Sequence, residues 1–176
     1  YSKFQFNMTQ HKIRAAVVGY GNIGRYVVEA LQEADDFEIA GIVRRSAANP
    51  PVELAGYKIA TDIDELGKVD VAILCTPTRE VEVHAAPLLA KGINTVDSYD
   101  IHTSITELRR HLSEVAKANG TVAIISAGWD PGSDSIVRAL MQAAAPKGLT
   151  YTNFGPGMSM GHSVCARSKK GVRDAL

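Results

Sequence analysis

The fold is decided by residues 13–24, which are Ile13-Arg14-Ala15-Ala16-Val17-Val18-Gly19-Tyr20-Gly21-Asn22-Ile23-Gly24. The apolar first half is typical of a buried parallel strand, and the residues after Gly24 have the pattern of a helix. In this context Gly19 would permit a tight turn, Gly21 would let the backbone approach a pyrophosphate, and Gly24 would let helix and strand pack closely. The stretch therefore predicts a dinucleotide-binding turn with the phosphates at the helix N-terminus. The predicted cofactor contacts are Gly19, Tyr20, Gly21, Asn22, Ile23 and Gly24.

The composition argues against several classes of function. The chain has 176 residues with 19 Lys plus Arg and 19 Asp plus Glu, so its formal net charge is zero. This balance gives no reason to expect a nucleic-acid partner, and no apolar run reaches the roughly 18 residues of a membrane span. Cys75 and Cys165 do not make a disulfide framework, so we expect a cytoplasmic location. No Cys and His spacing indicates a metal site.

Apolar runs alternate with helical patterns over the first 126 residues. We predict strands at 13–18, 38–43, 57–60, 69–75, 93–96 and 121–125, and helices at 23–34, 79–91 and 104–118. This alternation predicts an α/β fold with a Rossmann-type doubly wound parallel sheet. Further along, Ser133 is predicted to cap a helix that runs to about Ala145, and a β-rich segment follows at 149–154.

The composition of the sequence changes after Ser126, where glycine and proline become frequent. We expect residues 1–11 to be a leader or expression remnant and residues 12–126 to form the dinucleotide-binding domain. Residues 127–176 would begin an α+β substrate and dimerisation domain. Fifty residues are few for an independent domain, so we expect this second part to be incomplete.

The end of the second strand indicates which dinucleotide binds. An NAD site usually has Asp or Glu there, to bond the ribose 2′-hydroxyl. This chain has Arg44-Arg45-Ser46 instead. Guanidinium groups can donate paired hydrogen bonds to phosphate oxygens, so the three residues favour a 2′-phosphate and hence NADP.

The fourth strand ends in Cys75-Thr76-Pro77-Thr78. Ligands of open α/β sheets bind outside the carboxyl ends of the strands, so all four residues are predicted to lie at the cofactor site, where Thr76 and Thr78 can reach its ribose or phosphates. Alternatively, Pro77 ends the strand and Thr78 caps the next helix, and both interpretations can hold together. Cys75 is predicted to behave as a small buried apolar residue.

Carboxylates follow the fifth and sixth strands. Asp97-Ser98-Tyr99-Asp100 ends the fifth strand, and Trp129-Asp130 follows the sixth. Parallel strands bring these groups to one edge of the sheet, beside the chain's only tryptophan. Asp130-Pro131-Gly132 could also be a simple turn. His102 and His162 are predicted to be structural or solvent-exposed.

Four motifs together resemble the meso-diaminopimelate D-dehydrogenase family, and the similarity runs from about Lys12 to Leu176. The motifs are Gly19–Arg25, Val96–Asp100, Gly128-Trp129-Asp130-Pro131-Gly132 and Phe154–Ser163. The resemblance implies an NADPH-dependent, reversible oxidative deamination at the D-centre of meso-2,6-diaminopimelate, which gives L-2-amino-6-oxopimelate and ammonia. It also implies a place in bacterial lysine and cell-wall metabolism, and a homodimer or higher homo-oligomer.

The resemblance also implies roles for individual residues. Arg44 and Arg45 would form the 2′-phosphate site, and Asp97, Ser98 and Tyr99 would lie against the cofactor. The reacting centre would bind to Asp100, Trp129 and Asp130, with either aspartate as the catalytic base. A further substrate loop would comprise Gly157, Met158, Ser159, Met160 and Gly161.

The chain departs from the family pattern in two respects. Ser168-Lys169-Lys170 replaces a more apolar stretch, and family members continue well beyond Leu176. We therefore expect the chain alone to bind NADP(H) without normal turnover. Two alternatives stay open: another NAD(P)-dependent enzyme of this architecture, such as a homoserine dehydrogenase or dihydrodipicolinate reductase, and a non-catalytic NADP-binding fragment or subunit.

Overall fold

The structure, a computed structural model, describes residues 12–149, 166–167 and 169–175. Its internal contacts divide the chain into two units, one ending at Ile136 and the other beginning at Val137. The first unit contains the whole sheet and three of the four described α-helices. The predicted boundary between residues 126 and 127 stays a prediction.

The first unit is built on six parallel strands. They are β1 (Ile13–Val18), β2 (Phe37–Val43), β3 (Ile59–Ala60), β4 (Val71–Leu74), β5 (Asn94–Asp97) and β6 (Ala123–Ile124). The spatial order is β3-β2-β1-β4-β5-β6, and every neighbouring pair is parallel. The predicted Rossmann-type sheet is confirmed. The order reverses between β1 and β4, which is the point where open α/β sheets bind their ligands.

Several strands are shorter than predicted because fewer residues pair with a neighbour. β3 and β6 pair over two residues each, and both lie at edges of the sheet. β4 is bounded by single hydrogen bonds that continue its pairing with β1: Asp70 N–H donates to the Arg14 carbonyl at 2.8 Å, and Cys75 N–H to the Val18 carbonyl at 2.7 Å.

The described α-helices follow the predicted pattern closely. They are α1 (Asn22–Gln32), α2 (Val81–Ala90), α3 (Ile105–Asn119) and α4 (Ser133–Ala144). Ser133 is the first residue of α4 rather than its predicted cap, and its N–H donates to the Gly128 carbonyl at 3.0 Å. The β-rich segment predicted at 149–154 lies outside the described residues apart from Leu149. No described helix is both long and apolar enough to cross a bilayer.

The helices cover the two faces of the sheet in different places. α1 covers one face through Val28 and Leu31, which join Val17 and Ile42 in one apolar cluster. On the other face, α2 and α3 pack against each other and on the sheet. Their buried residues include Ala85, Leu89, Leu108 and Leu112. A fully buried leucine of this kind contributes about 1.5–3 kcal/mol to folding, so the core fixes the strand ends that carry the site.

Candidate functional site

The turn after β1 requires glycine at two positions. Gly19 has a φ of +94°, and a Cβ atom there would lie 2.7 Å from the Cys75 carbonyl oxygen. A Cβ atom at Gly24 would overlap the Gly19 carbonyl oxygen. Such contacts are closer than side chains tolerate, so only glycine permits this turn and the close packing of α1 on β1 and β4. The predicted structural roles of Gly19 and Gly24 are confirmed.

Gly21 has open space around it. It is exposed, it precedes the first residue of α1, and a Cβ atom there would meet none of the described part of the chain within 4 Å. No side chain caps α1, and its first turn contains no acidic residue. Main-chain N–H groups and the positive end of the helix dipole are therefore presented to the carboxyl edge of the sheet, as an anion site requires.

The neighbouring residues of the turn differ in exposure. Asn22 and Ile23 are exposed, and Tyr20 is half-buried against the cluster under α1. Burial raises the pKa of the Tyr20 phenol above its ordinary value, with smaller contributions from nearby charges. Tyr20 is thus a partly apolar wall beside the turn.

The arginine pair follows β2, as predicted. Arg44 N–H donates to the Ala60 carbonyl at 2.9 Å, which holds the main chain beside β3. One guanidinium nitrogen of Arg44, Nη1, is buried, and no described residue accepts a hydrogen bond from it. Arg45 is exposed, and the Ser46 hydroxyl accepts from Ala48 N–H at 3.2 Å. A buried donor of this kind is costly unless it gains an acceptor, so the site fits an oxyanion such as a phosphate.

The loop after β4 lies directly beneath the glycine turn. Burial raises the pKa of the Cys75 thiol to about 11, so this side chain is neutral at physiological pH. The Thr76 hydroxyl is buried without a hydrogen-bond partner among the described residues, whereas Pro77 is exposed. The Thr78 hydroxyl accepts from Asp100 N–H at 3.1 Å. The capping role weighed for Thr78 is wrong, because its hydroxyl bonds to the next loop and no side chain caps α2.

The residues after β5 divide into buried and exposed. Asp97 is 2% exposed, and its carboxylate oxygen Oδ1 accepts from Tyr99 N–H at 2.9 Å and from Ser126 N–H at 3.1 Å. Burial raises the pKa of this carboxyl group, and the two main-chain donors oppose the shift. Tyr99 is buried, whereas Ser98 and Asp100 are exposed. The Asp97 carboxylate thus points into the protein, and the cofactor contact expected of this residue stays a prediction.

The loop after β6 carries Trp129 and Asp130. Trp129 is 53% exposed. Its carbonyl accepts from Asp134 N–H at 2.8 Å, and the peptide bond between Asp130 and Pro131 is cis. The Ser135 hydroxyl donates to Asp130 Oδ1 at 3.4 Å. These bonds connect the loop to the first turn of α4, where Asp134 is buried.

Hydrogen bonds join the loops after β4, β5 and β6 at one edge of the sheet. Thr78 connects the first two through Asp100, and Asp97 connects the second to the third through Ser126. Gly128 is also packed against Ser98. The chain thus brings the predicted carboxylates to neighbouring loops beside Trp129.

Some residues predicted to belong to the site do not join these loops, and two features of the loops were not predicted. The predicted substrate loop, Gly157–Gly161, and His162 lie outside the described residues, and His102 is exposed in a short 3₁₀ helix. No group of three or more metal-ligating side chains occurs among the described residues. The sequence analysis did not predict the Thr78–Asp100 bond or the buried position of Asp97. An aspartate that ends an apolar strand was the available signal for the latter.

Comparisons with known proteins agree with this architecture. A family model described as "Oxidoreductase family, NAD-binding Rossmann fold" matches residues 13–126, and one described as "Diaminopimelic acid dehydrogenase C-terminal domain" matches residues 128–176. A meso-diaminopimelate D-dehydrogenase of Bacteroides fragilis is 68% identical over 166 residues, which cover 94% of this chain and 56% of that protein.

Two solved structures extend the comparison. One is C. glutamicum DAP dehydrogenase in complex with DAP, with a TM-score of 0.76 and 35% identity over 95% of this chain and 51% of that one. The other is an engineered D-amino acid dehydrogenase bound to NADP⁺, with a TM-score of 0.74 and 36% identity over 93% and 51%. The chain thus spans about half the length of the relatives that it matches. By fold, motifs and sequence it belongs to the NAD-binding Rossmann-fold oxidoreductases and, among them, to the meso-diaminopimelate D-dehydrogenase family.

Proposed function

We propose that this chain is the cofactor-binding and D-centre-binding part of an NADP-dependent meso-diaminopimelate D-dehydrogenase. The reaction would be the reversible oxidative deamination of meso-2,6-diaminopimelate to L-2-amino-6-oxopimelate and ammonia. The observation that carries the proposal is the set of residues gathered at the carboxyl edge of the sheet. A glycine turn and an arginine pair fit a phosphorylated dinucleotide there, beside carboxylates and Trp129 that are suited to an amino-acid centre. Family membership supports the same assignment, as do the matched structures of dehydrogenases bound to NADP⁺ and to DAP.

The proposed cofactor site uses main chain for the pyrophosphate and side chains for the 2′-phosphate. N–H groups at the start of α1 would bind the pyrophosphate, with the open space at Gly21 allowing close approach. Arg44 would donate its buried guanidinium N–H to the 2′-phosphate, and the exposed Arg45 would add a second charge. Thr76 and Ser98 are proposed to line the ribose and nicotinamide side, because Thr76 follows β4 at the switch point and Ser98 follows β5, the strand beside β4. When bound, NADP⁺ would supply the hydride acceptor.

The proposed chemistry at the D-centre depends on a carboxylate. The substrate ammonium must lose a proton before the α-carbon can give up hydride, since the nitrogen lone pair drives the change. Asp130 or Asp100 would bind the ammonium and accept that proton. Trp129, which is half-exposed here, would then separate the reacting carbon from water. Reaction of the resulting imine with water would release ammonia.

The broader properties of the whole protein are part of the same proposal. We propose a dinucleotide-binding domain over residues 12–126 and a second domain that begins at 127. We also propose a homo-oligomeric enzyme located in the cytoplasm and acting in lysine metabolism. These proposals are supported by family membership and by the scarcity of cysteine.

The experiment is a substrate panel on a completed enzyme. Residues 1–176 would be fused to the remaining portion of the Bacteroides fragilis relative. NADPH formation would be followed by the absorbance of the reduced nicotinamide, with NADP⁺ and meso-diaminopimelate, L-homoserine or L-aspartate. The unmodified Bacteroides fragilis protein, which keeps its own N-terminal portion, is the positive control. A fusion that carries Asp100→Asn and Asp130→Asn together is the negative control.

We expect NADPH formation with meso-diaminopimelate and none above background with the other two substrates. Turnover of L-homoserine at a comparable rate would replace the proposal with the homoserine dehydrogenase alternative. NADP(H) binding without turnover of any substrate in a folded fusion would favour a non-catalytic NADP-binding subunit.

A further inference from the structure

We propose that Asp97 is a positioning residue that fixes two substrate loops relative to each other. One loop carries Asp100, and the other carries Trp129 and Asp130. The inference rests on the proposed function in one respect only, namely that these two loops bind the reacting centre. Asp97 itself would not touch the substrate, because its side chain is buried at the end of β5.

The hydrogen bonds of Asp97 reach both loops. Oδ1 accepts from Tyr99 N–H in its own loop and from Ser126 N–H in the loop after β6, at 2.9 and 3.1 Å. The Asp97 main-chain carbonyl accepts a third bond, from Ala127 N–H at 2.7 Å. One residue therefore sets the position of main-chain atoms one residue before Asp100 and two residues before Trp129.

The Asp97 carboxylate is buried in spite of its desolvation cost, and its second oxygen, Oδ2, has no hydrogen-bond partner among the described residues. Asp97 is 2% exposed in a part of the sheet where its strand neighbour Leu74 is also buried. An ionised group in such a place costs free energy unless hydrogen bonds compensate it. A hydrogen bond to a carboxylate is stronger than one to a neutral acceptor, so two such bonds to main-chain donors offset part of the cost.

The backbone at Ser126 adds a second reason for the bond. Its φ is +58°, in the left-handed region that residues other than glycine rarely adopt. The bond from Ser126 N–H to Asp97 stabilises this conformation, which turns the chain from β6 toward Gly128 and Trp129. Without it, we expect the loop to relax toward ordinary backbone angles and to shift Trp129.

A link to a third loop extends the arrangement. Asp100 N–H donates to the Thr78 hydroxyl in the loop after β4. The loop of Asp100 is therefore held on one side by Thr78 and on the other by Asp97. The alternative is that Asp97 merely stabilises its own turn and the fold in general, with no particular effect on the loop of Trp129.

The experiment compares three variants of the 176-residue chain by amide NMR spectroscopy and hydrogen exchange without any ligand. Asp97→Ala removes the acceptor, and Asp97→Asn keeps an acceptor oxygen but removes the charge. Thr95→Ala is the matched control, because Thr95 is buried on the same strand and no described residue hydrogen-bonds its hydroxyl. Trp129 is the only tryptophan in the chain, so its fluorescence reports on the second loop directly.

We expect Asp97→Ala to increase the exchange rates of the Tyr99 and Ser126 amides by about tenfold or more, as loss of a charged acceptor predicts. It should also shift the Trp129 emission maximum and the Asp100 and Asp130 amide signals. Asp97→Asn should have an intermediate effect, with both amides still exchanging faster than in the unmodified chain, because its acceptor oxygen is neutral. Thr95→Ala should leave the loop amides and Trp129 as they are in the unmodified chain. These readings need no substrate, so they are independent of whether diaminopimelate is the substrate.

Two results would overturn the proposal. One is that Asp97→Ala changes Ser126 and Trp129 no more than Thr95→Ala does. The other applies if Asp97→Ala does not fold: Asp97→Asn must then still exchange faster at Tyr99 and Ser126 than Thr95→Ala, and equal rates would contradict the proposed role.

Discussion

The turn after β1 and the loops after β5 and β6 lie at the same edge of the sheet, but different forces hold them. The turn is fixed by close backbone contacts: Gly19 and Gly24 leave no room for a Cβ atom. The two loops are fixed by hydrogen bonds between side chains and main chain, above all those of Asp97. The glycine turn is thus specified by main-chain packing, both within the turn and against Cys75 of the next loop. The proposed substrate site is specified by side-chain hydrogen bonds between loops.

This difference predicts which variants affect cofactor binding and which affect chemistry. In the fused enzyme described above, we expect Asp130→Asn to lower the rate of deamination by at least about 100-fold, within the range of general acid–base catalysis. The affinity for NADPH should stay within about twofold, because the phosphate contacts lie at the other site. Steady-state kinetics and calorimetric titration measure the two quantities.

Ser135→Ala is the matched control for Asp130. It removes a hydroxyl that donates to Asp130 Oδ1 over a long 3.4 Å bond. We expect a loss of only a few-fold, since a weak positioning bond contributes little. If Asp130→Asn behaved like Ser135→Ala, Asp130 would be a turn residue and Asp100 would become the candidate base.

Gly24→Ala tests the steric half of the comparison. Its new methyl group would overlap the Gly19 carbonyl oxygen, so the turn must shift. We expect the free energy of unfolding to fall by roughly 1–3 kcal/mol, as is usual for overpacking. Urea unfolding followed by circular dichroism measures this loss. An unchanged midpoint would show that the turn is less tightly packed than described.

Gly21→Ala separates stability from binding. The methyl group would meet no atom of the described residues within 4 Å, so stability should change by less than about 1 kcal/mol. The same methyl group would stand where a pyrophosphate approaches, and we expect NADPH affinity to fall about tenfold, which is roughly 1.4 kcal/mol. Unchanged affinity would place the pyrophosphate away from Gly21.

Cys75 provides a chemical probe of the turn from below. Since burial raises its pKa to about 11, the thiol is protonated at pH 8. We expect iodoacetamide to label it at least about tenfold more slowly than a free cysteine, with the rate rising toward pH 11. The measurement uses a Cys165→Ser variant, in which Cys75 is the one cysteine that can be labelled. Labelling as fast as that of a free thiol would contradict the burial.

The raised pKa of Cys75 also affects the free energy of unfolding. The stabilisation from the buried neutral thiol is fully present below the pKa of the unfolded thiol and declines as pH rises through about 11.

Much of the fold was predictable because it follows from local patterns. Six apolar runs correspond to the six strands, and the predicted helix at 79–91 packs on the sheet through apolar residues such as Ala85 and Leu89, which are buried. The Gly19–Gly24 turn was predictable from its local glycine motif, whereas the packing of Gly19 against the Cys75 carbonyl was not. The lengths of β3 and β6 were not, since pairing at an edge depends on which neighbours reach it.

The residues of the candidate site were predictable, but the hydrogen bonds that connect them were not. The sequence placed Asp100, Trp129 and Asp130 near one edge of the sheet because they follow adjacent strands. It did not predict that Thr78 bonds to Asp100, or that Asp97 points inward to hold Ser126. Such bonds join residues 22 and 29 positions apart, and no periodicity or turn pattern encodes them.

We propose that the arginine pair after β2 selects NADP(H), and the affinities for the two cofactors measure this selection. The dissociation constants of NADPH and NADH would be measured by calorimetry for the 176-residue chain and for Arg44→Ala/Arg45→Ala. The control is Arg109→Ala/Arg110→Ala, which removes the same charge from exposed positions on α3. We predict that the unmodified chain and the control bind NADPH at least about tenfold more tightly than NADH, and that the Arg44 and Arg45 variant loses most of this preference. Equal affinity of the unmodified chain for NADPH and NADH would show that Arg44 and Arg45 do not select the 2′-phosphate.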